Sequence, residues 1–146
     1  MMRISTKGRY ALRVMVELAR QRDDKPVSLR YMAENQNMTQ KYLENIIALL
    51  VKERLVASSR GKSGGYRLSR PASQYTVYEI LRTAEGDIEP VQCMTDQTTP
   101  CPMEQRCPTL PVWKGLYRVV REYLESITLE SLAELPPGEF TYCDGI

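Results

Sequence analysis

The 146-residue sequence contains no histidine, only one tryptophan and one phenylalanine, and no long hydrophobic run. Without histidine, the chain lacks the side chain that enzymes use most often as a general base and that proteins use most often to bind metals. The longest obvious apolar stretch, residues 46–51, is far too short to cross a bilayer. The opening MMRISTKGRY has no apolar segment of the kind that directs secretion, so we expect a cytoplasmic protein.

Other patterns typical of enzymes are also absent from the sequence. There is no C-x-x-C pair, no glycine-rich phosphate loop after a predicted strand, and no pair of carboxylates in an evident pocket. A chain of this length, with 42% hydrophobic residues, builds one small domain with little material left for a catalytic cavity. We therefore expect a binding protein and not an enzyme.

Charge is distributed unevenly along the chain. Residues 1–70 carry 15 Lys and Arg against 6 Asp and Glu, a net charge of +9, whereas residues 71–146 carry a net charge of −7. A basic half joined to an acidic half favours a module that binds a polyanion and has a second task attached. The alternative is that these charges only solvate surface helices.

Three amphipathic helices are predicted in the basic half. They cover residues 6–21, 29–36 and 40–54, with Ser5 or Thr6, Ser28 and Thr39 as N-caps. Their predicted inner faces are Tyr10, Ala11, Val14, Met15 and Leu18; Leu29, Met32 and Ala33; and Leu43, Ile46, Ile47 and Leu50. A short helix, a tight turn and a second helix with an apolar inner face are typical of a helix-turn-helix.

A basic β-hairpin is predicted directly after the third helix. LVASSR and YRLSR form its strands, and GKSGG supplies the glycines that a tight hairpin tip requires. Such a hairpin after a helix-turn-helix is the wing of a winged helix. The predicted fold is mainly α with a small β-hairpin wing.

The acidic half is predicted to contain helices at 76–85 and 111–127, and a short helix after Thr128. Thr76 and Glu79 have capping-box spacing, and Pro111 suits a first helical turn. The apolar stripe of the long helix is Val112, Leu116, Val119, Val120, Tyr123, Leu124 and Ile127. It either forms a homodimer interface or folds back on the first helix. We divide the chain into a winged helix-turn-helix (1–72), a cysteine loop with a dimerisation helix (73–134) and a flexible tail (135–146).

Three of the four cysteines, Cys93, Cys101 and Cys107, lie in one loop between predicted helices. Their spacing lacks the short knuckle of most structural zinc sites and differs from the common ferredoxin patterns. Taken alone, it leaves zinc, an iron–sulfur cluster and free thiols open. A disulfide framework is set aside because the cytoplasm keeps thiols reduced.

Several stretches together resemble the IscR-type winged-helix regulators of the Rrf-two superfamily. They are MRISTKGRYALRVMVELA, KYLENII, the wing RGKSGGYRL and SITLESLAE, and the resemblance extends from Met2 to about Glu134. It implies a dimeric transcriptional regulator, which we expect to act as a repressor on a double-stranded DNA operator. The long C-terminal helix of each subunit would form the dimer interface.

The resemblance also implies which residues contact DNA. In the family, the third helix enters the major groove and the wing arginine reaches the adjacent minor groove. The residues assigned to DNA contact are Ser28, Thr39, Gln40, Lys41, Tyr42, Glu44, Asn45, Arg60, Gly61, Lys62 and Ser63. Independently, the Glu44 carboxylate suits a cytosine amine, and an arginine suits the negative potential of a narrow minor groove. The alternative for Glu44 is a surface pair with Lys41.

Cluster-binding members of that family hold an iron–sulfur cluster with three cysteines in this loop. The resemblance therefore implies Cys93, Cys101 and Cys107 as ligands, with [2Fe-2S] favoured over [4Fe-4S]. Two features depart from the pattern: the first intercysteine spacing is two residues longer, and Leu110 stands where a histidine completes the site. Some relatives use an N-terminal aspartate instead, but Arg9 occupies that position. Asp96, Glu104, Cys143, a backbone group and a small external thiol remain as fourth ligands.

A second kind of regulator fits the same fold. Some relatives lack the cysteines, so a cluster-free protein that responds to thiol oxidation, cysteine supply or a partner enzyme is the alternative. Repression by the cluster-bound form and by the cluster-free form are both open.

Overall fold

The computed structural model describes residues 2–21, 23–95 and 101–136. These residues form helices α1 (Thr6–Ala19), α2 (Leu29–Gln36), α3 (Gln40–Lys52), α4 (Val77–Glu85), α5 (Gln92–Thr95), α6 (Leu110–Ser126) and α7 (Leu129–Ala133). Strands β1 (Val56–Ser59) and β2 (Gly65–Leu68) form an antiparallel hairpin. Single 3₁₀ turns lie at Ala72–Gln74 and Glu104–Arg106.

The starts of the first three helices are set by side-chain caps, as predicted. The hydroxyl oxygens of Ser5, Ser28 and Thr39 accept hydrogen bonds from backbone N–H groups three residues later, at 3.2–3.3 Å. Helix α2 ends at Asn37, whose φ of 52° is in the left-handed region. Asparagine tolerates that region, so the chain turns tightly into α3 and completes the helix-turn-helix.

One hydrophobic core joins the helix-turn-helix to elements from the acidic half. The predicted inner stripe of α3 is confirmed, since Leu43, Ile46, Ile47 and Leu50 are all buried. Helices α4 and α7 pack on α1, and their buried side chains Ile80 and Leu129 belong to the same core. Tyr10, predicted to face inward, is only half-buried at its edge. The proposed domain boundary near residue 72 stays a prediction.

The wing is tied to the chain that precedes α2. Val56 pairs with Leu68 and Ser59 with Gly65 in the hairpin, and Val27 exchanges two backbone hydrogen bonds with Tyr66 at 2.8 and 2.9 Å. A Cβ on Gly65 would lie 2.4 Å from the Val27 carbonyl oxygen. Glycine is therefore required at this position because the two backbones approach so closely.

Tyr75 connects the base of the wing to α4. The side chain is fully buried, and its hydroxyl donates to the Leu55 carbonyl at 2.6 Å while accepting from the N–H groups of Ser69 and Arg70. The Arg70 guanidinium lies 4.2 Å above the Tyr75 ring and forms an ion pair with Glu79. Because Glu79 engages Arg70, the capping box is formed only in part: the Thr76 hydroxyl accepts from the Glu79 N–H.

Helix α6 begins at Leu110, with Pro111 in its first turn, close to the predicted start. It rests on α4, where the Tyr78 and Tyr117 hydroxyls are 2.8 Å apart. Its predicted apolar stripe divides into two parts: Val120, Leu124 and Ile127 are half-buried, whereas Val112, Leu116, Val119 and Tyr123 are exposed. Those four exposed residues are called the exposed seam below. In the described part of the chain, no helix has the length and apolar character needed to span a membrane.

Candidate DNA-binding surface and cysteine segment

Helix α3 presents a polar face to solvent on the side opposite its buried stripe. Gln40, Lys41, Glu44 and Asn45 are all exposed, and they occupy the first two turns of the helix. Tyr42 is half-buried because its ring packs edge-on against Tyr10, with the ring centroids 5.9 Å apart. Four of the five predicted contacts on this helix are thus free of the core.

The alternative explanation for Glu44 was a surface ion pair with Lys41. Among the described residues, these two side chains do not form an ion pair or a hydrogen bond with each other. The carboxylate therefore keeps its acceptor capacity for a donor outside the chain, such as a base amine in a major groove.

The tip of the wing lies at residues 60–64. Arg60, Lys62 and Ser63 are exposed, and their side chains make no hydrogen bond or ion pair within the described ranges. Gly61 has a φ of 108°, which other residues rarely adopt, so the tip depends on a glycine there. The tip thus carries two cations that are free to meet phosphate or a minor groove.

An open groove of about 710 Å³ separates the wing tip from the start of α2. Ser28, Lys62 and Ser63 from the predicted set line it, together with Lys25 and Tyr31, which were not predicted. Tyr31 is 52% exposed although it is a large aromatic residue. Tyr31 lies on the solvent-facing side of the short helix α2. Hydrophobic periodicity identifies only the buried side of a helix, so it did not mark Tyr31 as a functional residue.

The two predicted residues Ser28 and Thr39 are fixed by their capping role. Each hydroxyl oxygen accepts from the helix that it starts, so its proton is left for a further acceptor. Both are exposed at the beginning of a helix, where backbone N–H groups also attract anions. They are therefore suited to contact phosphate more than bases.

The residues from Cys93 to Cys107 are called the cysteine segment. Cys93 is exposed on α5, while Cys101 and Cys107 are half-exposed on either side of the 3₁₀ turn. Cys107 lies just before α6, with its Sγ 3.4 Å from the Thr109 hydroxyl. That hydrogen bond, together with backbone donors at Thr109 and Leu110, lowers the pKa of the Cys107 thiol.

The fit of a metal cluster to this segment can be tested on the donors and their positions. Three thiols have the softness that iron requires. Within the described residues, however, no group of three Cys, Asp or Glu side chains comes close enough together to hold a metal ion. Glu104 is exposed on the 3₁₀ turn, whereas the candidate ligands Asp96 and Cys143 lie outside the described residues. The described arrangement thus does not form a cluster site.

Comparison with known proteins identifies the family. The model of the family Rrf2, described as an iron-dependent transcriptional regulator, matches residues 4–135. The chain belongs to the Rrf2 family. The HTH-type transcriptional regulator CymR of Bacillus subtilis is 39% identical over 138 residues, which cover 94% of each chain. IscR of Xenorhabdus nematophila is 34% identical over 133 residues, covering 91% of this chain and 80% of that relative.

The same family is recovered from the three-dimensional fold. A solved structure of B. subtilis CymR, described as the global cysteine regulator of that organism, superposes with a TM-score of 0.73. It is 38% identical in sequence, and the match covers 91% of this chain and 97% of that one. The mainly helical winged-helix prediction is therefore confirmed.

Membership of the Rrf2 family decides the class of function. CymR and IscR are named as transcriptional regulators, so this chain is a DNA-binding transcriptional regulator and not an enzyme. The effector stays open, because the description of the family refers to iron whereas B. subtilis CymR is described as a cysteine regulator.

Proposed function

We propose that this protein is a homodimeric, cytoplasmic repressor whose affinity for a DNA operator depends on the state of Cys93, Cys101 and Cys107. The observation that supports DNA binding is the exposed polar face of α3 together with the exposed, cationic wing tip. Both lie in the half of the chain that has a net charge of +9. Such a surface matches a polyanion in charge and a duplex in shape.

The proposed role of each residue in DNA binding follows from the chemistry of its side chain. On α3, Glu44 reads a cytosine amine while Gln40, Lys41, Tyr42 and Asn45 contact neighbouring bases or phosphates. At the wing, Arg60 enters the minor groove, where the negative potential is strongest, and Lys62 binds phosphate. Ser28, Thr39, Gly61 and Ser63 position the backbone at the two grooves.

A homodimer is supported by the exposed seam of α6. Val112, Leu116, Val119 and Tyr123 follow each other at intervals of four, three and four residues, which is the spacing of a coiled-coil seam. Two such seams packed together would remove four large apolar side chains per subunit from water. A two-fold dimer would also present two recognition helices to two operator half-sites.

For the effector, an iron–sulfur cluster on the three cysteines is the first candidate. It is supported by the soft donor set and by the iron dependence in the family description. Since the described residues do not assemble the ligands, the segment would have to rearrange to hold a cluster. Any effector bound here changes DNA affinity only to the extent that it prefers one dimer arrangement over another.

The second candidate is a cluster-free response to thiol oxidation or cysteine supply. It is supported by the lowered pKa of Cys107, because the thiolate is the form that oxidants attack. The likeness to a protein described as a global cysteine regulator points in the same direction.

One experiment tests the proposal and separates the two candidates. The full chain is purified anaerobically, its iron and inorganic sulfide are counted, and its binding to genomic operator fragments is measured before and after air exposure. A cluster predicts stoichiometric iron and sulfide that are lost in the triple Cys93, Cys101 and Cys107→Ser variant. The Cys143→Ser variant then tests the fourth ligand: loss of iron and sulfide would assign that role to Cys143, and their retention would exclude it.

The remaining outcomes are equally decisive. Absence of iron, combined with DNA affinity that changes with thiol oxidant, favours the cluster-free regulator. DNA binding that is identical in the wild type and the triple variant under every condition contradicts the assignment of the sensor to these cysteines.

A further inference from the structure

The open groove between the wing tip and α2 is lined from two sides by different elements. Lys62 and Ser63 of the wing tip line one side, and Ser28 and Tyr31 at the start of α2 line the other. We call it the wing–α2 groove. Three of these four residues belong to the set assigned to DNA contact, whereas Tyr31 has no role in the proposed function.

Backbone pairing holds the two sides of this groove together. Val27, which lines the groove just before α2, donates to Tyr66 of β2 at 2.8 Å and accepts from it at 2.9 Å. A Cβ on Gly65 would lie 2.4 Å from the Val27 carbonyl oxygen, so the two backbones are in close contact. A ligand that enters the groove therefore meets two walls at a fixed separation, which lowers the entropic cost of binding.

The charge of the wing–α2 groove suits a polyanion. The described residues that line it include two lysines and no carboxylate. Lys25 is already engaged, because its Nζ lies 3.4 Å from the carboxylate of Asp23. Lys62 is exposed and forms no ion pair within the described ranges. Lys62 is therefore the cation available to a phosphate in this groove.

Tyr31 places a hydrogen-bond donor on the side opposite Lys62. Its side chain is 52% exposed, and its hydroxyl forms no hydrogen bond with any other described residue. Its backbone N–H donates to the Ser28 hydroxyl oxygen at 3.2 Å, so the N-cap of α2 fixes the position of the residue. A tyrosine hydroxyl is one of the groups that bind DNA phosphates.

The shape of a duplex indicates what would lie in this groove. The major groove and the adjacent minor groove are separated by the sugar-phosphate backbone of one strand. If α3 enters the major groove and Arg60 the minor groove, that backbone has to cross the protein surface between the helix-turn-helix and the wing. The wing–α2 groove is the concave surface between those two elements.

We propose that the wing–α2 groove holds the sugar-phosphate backbone of one DNA strand, with the Tyr31 hydroxyl donating to a phosphate oxygen across from Lys62. Tyr31 is then a positioning residue, since a phosphate contact fixes the protein on the duplex without reading its sequence. Held between α2 and the wing, the backbone sets the register of α3 and Arg60 relative to each other. This inference rests on the proposed binding of α3 and the wing to DNA.

Tyr31→Phe tests the contact because it removes only the hydroxyl. On an operator fragment selected by the wild type, affinity measured by fluorescence anisotropy should fall roughly tenfold, as expected when a hydrogen bond to a charged group is lost. The slope of the salt dependence should stay the same, because the hydroxyl carries no charge and releases no counterion. Tyr117→Phe removes a hydroxyl that bonds to α4 and is the matched control, with unchanged affinity.

Neutral methylphosphonates, placed one at a time along the operator, locate the contact. At one phosphate in each half-site the replacement should weaken the wild type clearly more than Tyr31→Phe, since both changes remove the same hydrogen bond. Lys62→Ala should show the same non-additivity at that phosphate or at its direct neighbour, because the two side chains line one groove. A tyrosine with a purely structural role would instead give additive losses at every phosphate.

Two results would overturn this inference alone. One is equal operator affinity of the wild type and Tyr31→Phe, and the other is additivity of Tyr31→Phe with every methylphosphonate. If the wild type binds no duplex from a random pool, the proposed function is wrong and this inference with it. Because wild-type binding is measured first, the two failures are distinguishable.

Discussion

A single carboxylate connects the first turn of α1 to the last turn of α4. Glu85 Oε1 accepts hydrogen bonds from the backbone N–H and the hydroxyl of Ser5, at 2.9 and 2.7 Å. A Cβ on Gly8 would lie 2.0 Å from that oxygen. A larger residue at position 8 would therefore have to displace the carboxylate of a side chain that is distant in sequence.

This contact predicts that the effect of Gly8→Ala on the free energy of unfolding has opposite signs in the presence and absence of the Glu85 carboxylate. Gly8→Ala displaces the Glu85 carboxylate, and the loss of its hydrogen bonds outweighs the gain of about 1 kcal/mol in helix propensity. We expect a net destabilisation of about 2 kcal/mol in urea unfolding. In a Glu85→Ala background, Gly8→Ala should instead stabilise by up to about 1 kcal/mol. Equal destabilisation in both backgrounds would exclude Glu85 as the cause.

Two residues that we propose to contact DNA should differ in the property of binding that they control. Lys62→Ala should weaken binding to all sequences and flatten the salt dependence by about one unit of slope, as the loss of a phosphate contact does. Glu44→Ala should relax preference at one base pair by about 1–3 kcal/mol. Binding-site selection at two salt concentrations measures both effects. An unchanged sequence preference in Glu44→Ala would show that this carboxylate does not read a base.

At the scale of elements, sequence patterns predict local structure and miss distant partners. Ser5, Ser28 and Thr39 are found as caps because the groups that they bind lie three residues away. Tyr75 and Glu85 act through partners 20 and 80 residues away. No periodicity encodes such pairs, so the connection between wing and α4 could not be predicted. The relative positions of the three cysteines could not be predicted either, because their spacing in the sequence does not determine the distances between their thiols.

The two sides of α6 illustrate a further limit of prediction from the sequence. A helix repeats every 3.6 residues, so one wide apolar stripe covers both the side packed on α4 and the exposed seam. The sequence predicts the stripe but not its division between two partners. That division leaves Val119 59% exposed while Val120, one residue later, is half-buried.

The contact of α6 with α4 should respond to alkaline pH. Burial, together with the hydrogen bond to Tyr117, raises the pKa of Tyr78 to about 12 from an ordinary value of 10.0. Since the folded state holds the proton more tightly, this contribution to stability is complete below pH 10 and is lost as the pH rises through 12. Absorbance titration should show a tyrosine component near pH 12 that is lost in Tyr78→Phe. Titration of Tyr78 near pH 10 would contradict the buried pair.

At the scale of the whole molecule, the exposed seam predicts the oligomeric state. Val119→Glu places a charge in the centre of the seam, so the dimer should dissociate to a monomer in light scattering. Lys114→Glu is the matched control, since it introduces the same side chain about 140° around the helix and should leave the dimer intact. A wild type of monomer mass would contradict the dimer.

At the wing tip, different residues determine the backbone conformation and the exposed side chains. This has a consequence for how the protein can evolve. Gly64 and Gly65 hold the turn, because a Cβ at either position would collide with backbone. The side chains of Arg60, Lys62 and Ser63 contact little else in the described part of the chain. Substitutions there should change stability by no more than about 0.5 kcal/mol. If the wing binds DNA as proposed, substitutions at these three positions can therefore change the strength of DNA binding while the fold stays constant.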